Sequence, residues 1–418
     1  MTATLKKIGW ANFLWYYFLL IACGQQNDST DKPMDSTNFK KGSYGFDRAF
    51  LKDDLGSVIE LSDHSSSARV LLSSAWQGRV LTSACIDSGN SYGWINYHLI
   101  RSHKKKSQFN PIGGEERFWI GPEGGQFGFY FRKGDSFNIA HWQVPSLIDT
   151  DQFDVTGSTD SSVQFSKEGT LTNYSGTVFH FNITRSVKIL NRREVEGRLL
   201  THLPDEIRLV AYESDNAIRN TGEKDWKKES GLPSIWLLSM MTPSEQTAVC
   251  IPFEPMAESR KYITDDYFGV VPPDRLIVKD SVLFLKCDGR FRSKIGLSPV
   301  LAKPFAASYD FRRNILTILH FPVDKSSSYV NSKWEIQSEP FRGDVINAYN
   351  DGPLADGSQL GPFYEIESSS PVKQLKKGDF LVHRQIVCHL EGDYRQLRQV
   401  ALNLLGVDLD EIKRSFHF

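Results

Sequence analysis

Residues 179–190 read FHFNITRSVKIL. Phe179, Phe181, Ile183, Val187 and Ile189 share one parity, and His180, Asn182, Thr184 and Lys188 share the other. Side chains alternate between the two faces of a strand, so this is a long strand with one apolar and one wet face. On both sides lie further β-patterned runs, among them SVIEL, RVLLSS, GRVLTSACI, FGFYFR, IRLVAYE, TAVCIPF, SVLFLKC, NILTILHF and DFLVHRQIVCHL, separated by Gly, Pro, Asn and Asp clusters. No alternation of strands with helices appears. Many strands with a wet face predict an all-β chain of large stacked antiparallel sheets.

Two segments depart from that period. In FDRAFLKDDL (46–55), Phe46, Phe50 and Leu51 stand at helical spacing and Gly56 supplies a stop, which predicts a short N-terminal helix. Near the other end Leu397, Val400, Ala401, Leu404 and Leu405 trace one helix face, ended by Gly406, and predict a C-terminal amphipathic helix packed on a sheet. Residues 44–418 are expected to form one domain, since large all-β folds reach that length.

The first residues have the form of an export signal. Lys6 and Lys7 precede the apolar run from Trp15 to Ala22, too short to span a bilayer with ease, and the run stops at Cys23. Leu20-Ile21-Ala22-Cys23 resembles the lipobox of bacterial lipoproteins, which implies a signal peptide over 1–22 and lipidation of Cys23. An ordinary signal peptide or an uncleaved anchor is the alternative. The following residues, 23–43, hold almost no apolar side chain beyond Met34 and Phe39 and are expected to be a flexible tether. The expected location is the cell envelope, on the periplasmic or outer-membrane surface, with the membrane as a partner through the lipid anchor.

Composition narrows the other partners. A formal net charge of −1 over 418 residues carries no basic footprint for nucleic acid. An aromatic content of 12% suits sugar rings stacked on aromatic faces, and equally a large β core. Besides Cys23 there are Cys85, Cys250, Cys287 and Cys388, which admit up to two disulfides; three of them lie in apolar β runs, and buried free thiols are the favoured reading. No metal-ligand spacing, cofactor motif or GxSxG elbow is present, although a structural calcium ion held by scattered carbonyls stays open.

Two polar-aromatic stretches are candidates for a site. In NPIGGEERFWIGPEGGQFGFYF (110–131), glycine pairs bracket Glu115, Glu116, Arg117, Trp119 and Glu123. Glycines let a backbone turn sharply or approach closely, Arg117 can fork onto hydroxyls or a carboxylate, and Trp119 offers a stacking face. The alternative is a β-hairpin in which Arg117 pairs with Glu115 or Glu116. In FRGDVINAYNDGP (341–353) and GPFYEIESSSP (361–371), an acidic-amide loop containing Asn350 and Asp351 precedes Glu365 and Glu367, which share one strand face. Two such carboxylates repel when dry, so one is either solvated or raised in pKa, as general acid-base work needs. A solvent-facing pair at a strand end is the alternative.

These segments resemble the galactose mutarotase-like (aldose 1-epimerase-like) proteins, which implies a β-supersandwich of large antiparallel sheets with a sugar-binding face. AWQGRVLTSA (75–84) is similar to an early strand of that group, and DNAIRNTG (215–222) to an asparagine-bearing one. IGGEERF (112–118) places Arg117 on the family's sugar-contacting arginine and Glu116 on an asparagine. FYEIESSSP (363–371) resembles the strand that carries the catalytic glutamate. Two family histidines are missing: Glu123-Gly124-Gly125 stands nearest to the first, and Trp236 in PSIWLLSM (233–240) near the second. GWIN, EERFWIGPEGGQ, SKIGL, SYDF, GDVINAYNDGP and FYEIESSSP together resemble a functionally uncharacterised family of lipoproteins with this domain.

The resemblance implies a lipoprotein that binds a mono- or oligosaccharide and either epimerises it, otherwise processes it, or only holds it. Glu116, Arg117, Trp119, Glu123, Asn350 and Asp351 are its candidate substrate contacts, and Glu365 and Glu367 its candidate acid-base pair. A structural or protein-interaction lipoprotein on the same fold is the competing class, and it expects the Arg117 face to be blocked.

Overall fold

The computed structural model describes residues 39–418. The expected signal segment 1–22, Cys23 and the expected tether as far as residue 38 lie outside the described residues. Residues 39–43, assigned to the end of the tether, already touch the β-rich part: Ser43 bridges to Asn90, and the Phe39 ring lies against Gly45.

Among the described residues all strand ladders are antiparallel, in three sheets of ten, six and three strands. The expected class is therefore met: large antiparallel sheets, few and short helices. Val178–Leu190, the strand that opened the reading, sits inside the ten-stranded sheet between Ser162–Thr172 and Arg208–Asn220. Its odd-numbered side chains are buried, and so is Arg185, a charged side chain in the apolar file.

The ten-stranded sheet is covered on one face and in part on the other, where Val178, His180, Thr184 and Lys188 stay exposed. One packs its apolar file against the six-stranded sheet, with Phe181, Ile183, Val187, Ile235, Leu237 and Ile366 in the shared core. The other carries Ala248, Cys250, Phe284, Ile318, Cys388 and Leu390 beneath three helices, Arg192–Leu199, Tyr394–Leu405 and Leu409–Phe416. The expected C-terminal helix is Tyr394–Leu405, with Asp393 as its N-cap and Gly406 left-handed at its end. The expected N-terminal helix is Tyr44–Leu55, packed on the small sheet Val58–Ser62, Arg69–Ser73 and Arg79–Ala84. Cys85, Cys250, Cys287 and Cys388 are all free and buried.

One expected strand is not formed. FGFYFR (127–132) is a loop whose Phe129, Tyr130 and Phe131 are all buried. Three consecutive aromatics cannot all face one core from a strand of period two, so the backbone leaves the ladder and turns at Gly125 and Gly128, where amides of 128 and 129 bond to Gly125 and Pro122.

The glycine pair of IGGEERF has a definite task. Gly113 has φ +98°, and a Cβ built there would fall on the Trp94 carbonyl oxygen. The amide of Gly114 donates to that same oxygen at 2.9 Å, and Gly113 bridges Ile95. This close crossing leads the chain into strand Arg117–Gly121. Gly113→Ala is expected to lower stability by about 1–3 kcal/mol, read as the denaturation midpoint; an unchanged midpoint would mean the crossing is not tight.

Candidate functional site

The six-stranded sheet runs in the order Ile263–Thr264, Ser293–Leu297, Ile346–Asn350, Tyr364–Ser369, Ser234–Met241 and Arg117–Gly121. One face carries Phe118, Ile235, Leu237, Ile295, Ala348 and Ile366 into the core. Period two sends their neighbours Arg117, Trp119, Trp236, Lys294, Glu365 and Glu367 to the opposite face, where they line a cleft of about 540 Å³ including its open mouth. The ladder sets their spacing: Arg117 is paired with Leu238, Leu238 with Glu367, Glu365 with Met240 and with Tyr349, and Tyr349 with Lys294. Walls come from loops bearing Phe109, Glu123, Trp142, Phe268 and Trp334.

Charges on the floor are matched diagonally across the strands. Arg117 pairs with Glu365 through Nη2 and Oε1, and Lys294 Nζ stands 3.0 Å from Glu367 Oε2. Trp236 Nε1 donates to that same Oε2 at 2.9 Å. The guanidinium of Arg117 lies 4.6 Å from the centre of the Trp119 ring, and its Nε and Nη1 have no hydrogen-bond partner among the described residues. On the wall, Glu123 accepts from Trp142 Nε1 at 2.8 Å and from Trp334.

Burial raises the Glu365 carboxyl, Arg117 opposes the rise and the Glu367 charge adds to it, leaving the group at about 7. Burial also raises the Glu123 carboxyl, against the pull of Lys294. Lys294 loses some basicity to burial, but Glu367 and Glu123 more than restore it, so it stays an ammonium. The cleft thus offers one carboxyl that changes protonation near neutrality, a second raised one, and fixed cations between them.

The structure brings together Arg117, Trp119, Glu123, Glu365 and Glu367 of the expected residues, and Arg117 pairs with Glu365 rather than with Glu115 or Glu116. Glu116 lies elsewhere: it faces the core between the two large sheets, bound to Arg185 at 2.7 Å and to Gln385 at 2.6 Å. Strand alternation is the reason, since Glu116 has the opposite parity to Arg117. Asn350 is buried as a loop brace, accepting from the Gly289 amide at 2.8 Å and donating to the Phe291 carbonyl at 2.8 Å. Asp351 stands behind the cleft, accepting from the Tyr349 hydroxyl at 2.5 Å and the Gly361 amide at 3.0 Å.

Sequence reasoning did not select Trp142, Trp334, Arg292 or Lys294. Lys294 left a signal, because a lysine inside a strand as apolar as SKIGL must be buried and therefore paired. Among the described residues no group of three or more His, Cys, Asp or Glu side chains is placed to hold a metal ion, and no helix is long and apolar enough to cross a membrane.

Residues 42–416 match the model of a family of unknown function, DUF6786. The chain belongs to this family. No curated protein matches the sequence. Among solved structures the DUF6786 chain is similar to a putative aldose 1-epimerase from Escherichia coli K12, at 9% identity and a TM-score of 0.47, covering 80% of this chain and 98% of that one. It is also similar to a galactose mutarotase-like protein from Lactobacillus casei, at 12% identity and a TM-score of 0.46, covering 80% of this chain and 100% of that one. A putative mutarotase from Salmonella typhimurium has 10% identity and a TM-score of 0.46, with 80% and 90% covered.

Proposed function

We propose that the chain binds a carbohydrate in the cleft on the outer face of its six-stranded sheet and moves protons on it with Glu365 and Glu123. The observation that carries this reading is the pairing of four indole rings, Trp119, Trp142, Trp236 and Trp334, with three carboxyl side chains in one cleft. Pyranose faces stack on aromatic rings and their hydroxyls need charged or planar polar partners, and the cleft lining holds both kinds of side chain. The motif resemblance of IGGEERF and FYEIESSSP points to the same surface.

Interconversion of anomers needs a base on the anomeric hydroxyl and an acid at the ring oxygen. Glu365, poised near neutrality, is assigned the first role. Glu123, raised by burial, is assigned the second, in place of the histidine that the resemblance leads one to expect. Glu367, held by Lys294 and Trp236, fixes the charge beside Glu365. The competing interaction-protein class expects the Arg117 face to be blocked; Arg117 itself is buried beside Phe109 and Trp119, and sugar binding is what separates the two classes. Export and anchorage through Cys23 belong to the same proposal, the domain standing off an envelope membrane on residues 24–38.

The test is titration of a panel of mono- and oligosaccharides against wild type and Trp334→Ala, with NMR exchange spectroscopy of the anomers. Binding weakened about tenfold in Trp334→Ala is the expected result, from loss of one stacking face. A well-folded protein that binds no sugar on the panel would remove the proposal.

A further inference from the structure

The cleft holds three cations, Arg117, Arg292 and Lys294, against three carboxyls, Glu123, Glu365 and Glu367. Two of the cations are spoken for, by Glu365 and Glu367. Arg292 is not: no carboxylate stands within ion-pair distance of it among the described residues. Its guanidinium centre lies 3.7 Å from the centre of the Phe268 ring, and its Nε donates to the Tyr349 hydroxyl at 3.4 Å. That hydroxyl can accept because it gives its own proton to Asp351. The ring and the hydroxyl together fix the plane of the guanidinium and leave its terminal nitrogens without a hydrogen-bond partner among the described residues.

We propose that the cleft takes a sugar bearing one carboxylate, a uronic acid residue, whose carboxylate seats on Arg292. This rests on the carbohydrate reading of the same cleft and narrows its substrate class. A guanidinium fork matches the two oxygens of a carboxylate with two parallel hydrogen bonds. The charge count selects a monoanion: with the Arg117 and Lys294 pairs closed, Arg292 is the one cleft cation left without a carboxylate at ion-pair distance among the described residues, Asp351 acting on it from behind the Tyr349 hydroxyl. A phosphate dianion would bring more negative charge than this wall can answer, into a cleft whose floor already carries Glu365 and Glu367.

The experiment is calorimetric titration of glucuronate, galacturonate, glucose, galactose and glucose 6-phosphate into wild type, Arg292→Gln and Arg292→Lys, with melting temperatures as the check on folding. A uronate is expected to bind about tenfold more tightly than its neutral hexose, and to lose that preference in Arg292→Gln. Arg292→Lys should keep part of it, since charge survives without the fork. Hexoses binding wild type as tightly as uronates would overturn this inference and leave the carbohydrate reading standing, and that comparison needs no variant. Tighter binding of glucose 6-phosphate would overturn it in favour of a dianion. No binding of any of the five would remove both readings.

Discussion

Glu116→Ala is expected to destabilise the protein by about 3–5 kcal/mol, the cost of breaking a buried ion pair from one side. Arg185 and Glu116 are both fully shielded from solvent. Arg185 spends its other donors on the Gly78 carbonyl at 2.9 Å and Asn216 at 2.7 Å, so it has nowhere else to turn when the carboxylate is removed. Gln385, which donates to Glu116 at 2.6 Å and to Ser239 Oγ at 3.2 Å, loses the shorter of its two acceptors as well. A whole domain is typically worth about 5–15 kcal/mol, so the loss is a large share of the total. Replacing both partners, Glu116→Leu with Arg185→Met, should recover most of it, because no charge is then stranded. Denaturant unfolding of the three variants measures this, and a single-variant cost below about 1 kcal/mol would show that water reaches the pair. The same measurement separates a core role from a substrate-binding role for Glu116.

Glu365→Gln should slow any catalysed anomer exchange by about 10²–10⁴-fold, the usual worth of a positioned acid-base group. With Glu365 as base, the wild-type rate should climb with pH through about 7 and level off above it, and the variant should lose that limb. Stability runs the opposite way. The folded carboxyl holds its proton up to about 7 and the unfolded one only to about 4.5, so the folded state binds more protons between these values and this group's contribution falls as pH rises. Rates from NMR exchange across that window, with melting curves on the same samples, check both signs. A variant that keeps its rate would shift the chemistry away from Glu365.

Periodicity made the sheets legible, and it would have made the Glu116 partner legible too. Within the file of Phe179, Phe181, Ile183, Val187 and Ile189, Arg185 occupies an inward position, and a charged residue there requires a buried counter-charge. The same parity rule correctly put Glu365 and Glu367 on one face. It failed for FGFYFR, where aromatic density imitated a strand. Short helices were harder. Asn191 and Glu194 form a capping box and Asp408 caps Leu409–Phe416, yet each helix has only eight residues over which to develop a period. Trp142, Arg292 and Trp334 could not be read at all, because they reach the cleft from segments whose adjacency depends on strand order. Local sequence encodes faces well and neighbours poorly.

Arg117, Lys294, Glu365 and Glu367 are rooted in paired strands, while Glu123, Trp142 and Trp334 arrive on connecting segments, with Gly124 pressed against the backbone of Lys333. Such a division separates what must stay in place from what is free to vary. Insertions and exchanges in the connecting segments would reshape the entrance and carry Glu123 with it, while the Arg117–Glu365 and Lys294–Glu367 pairs of the floor stay in register.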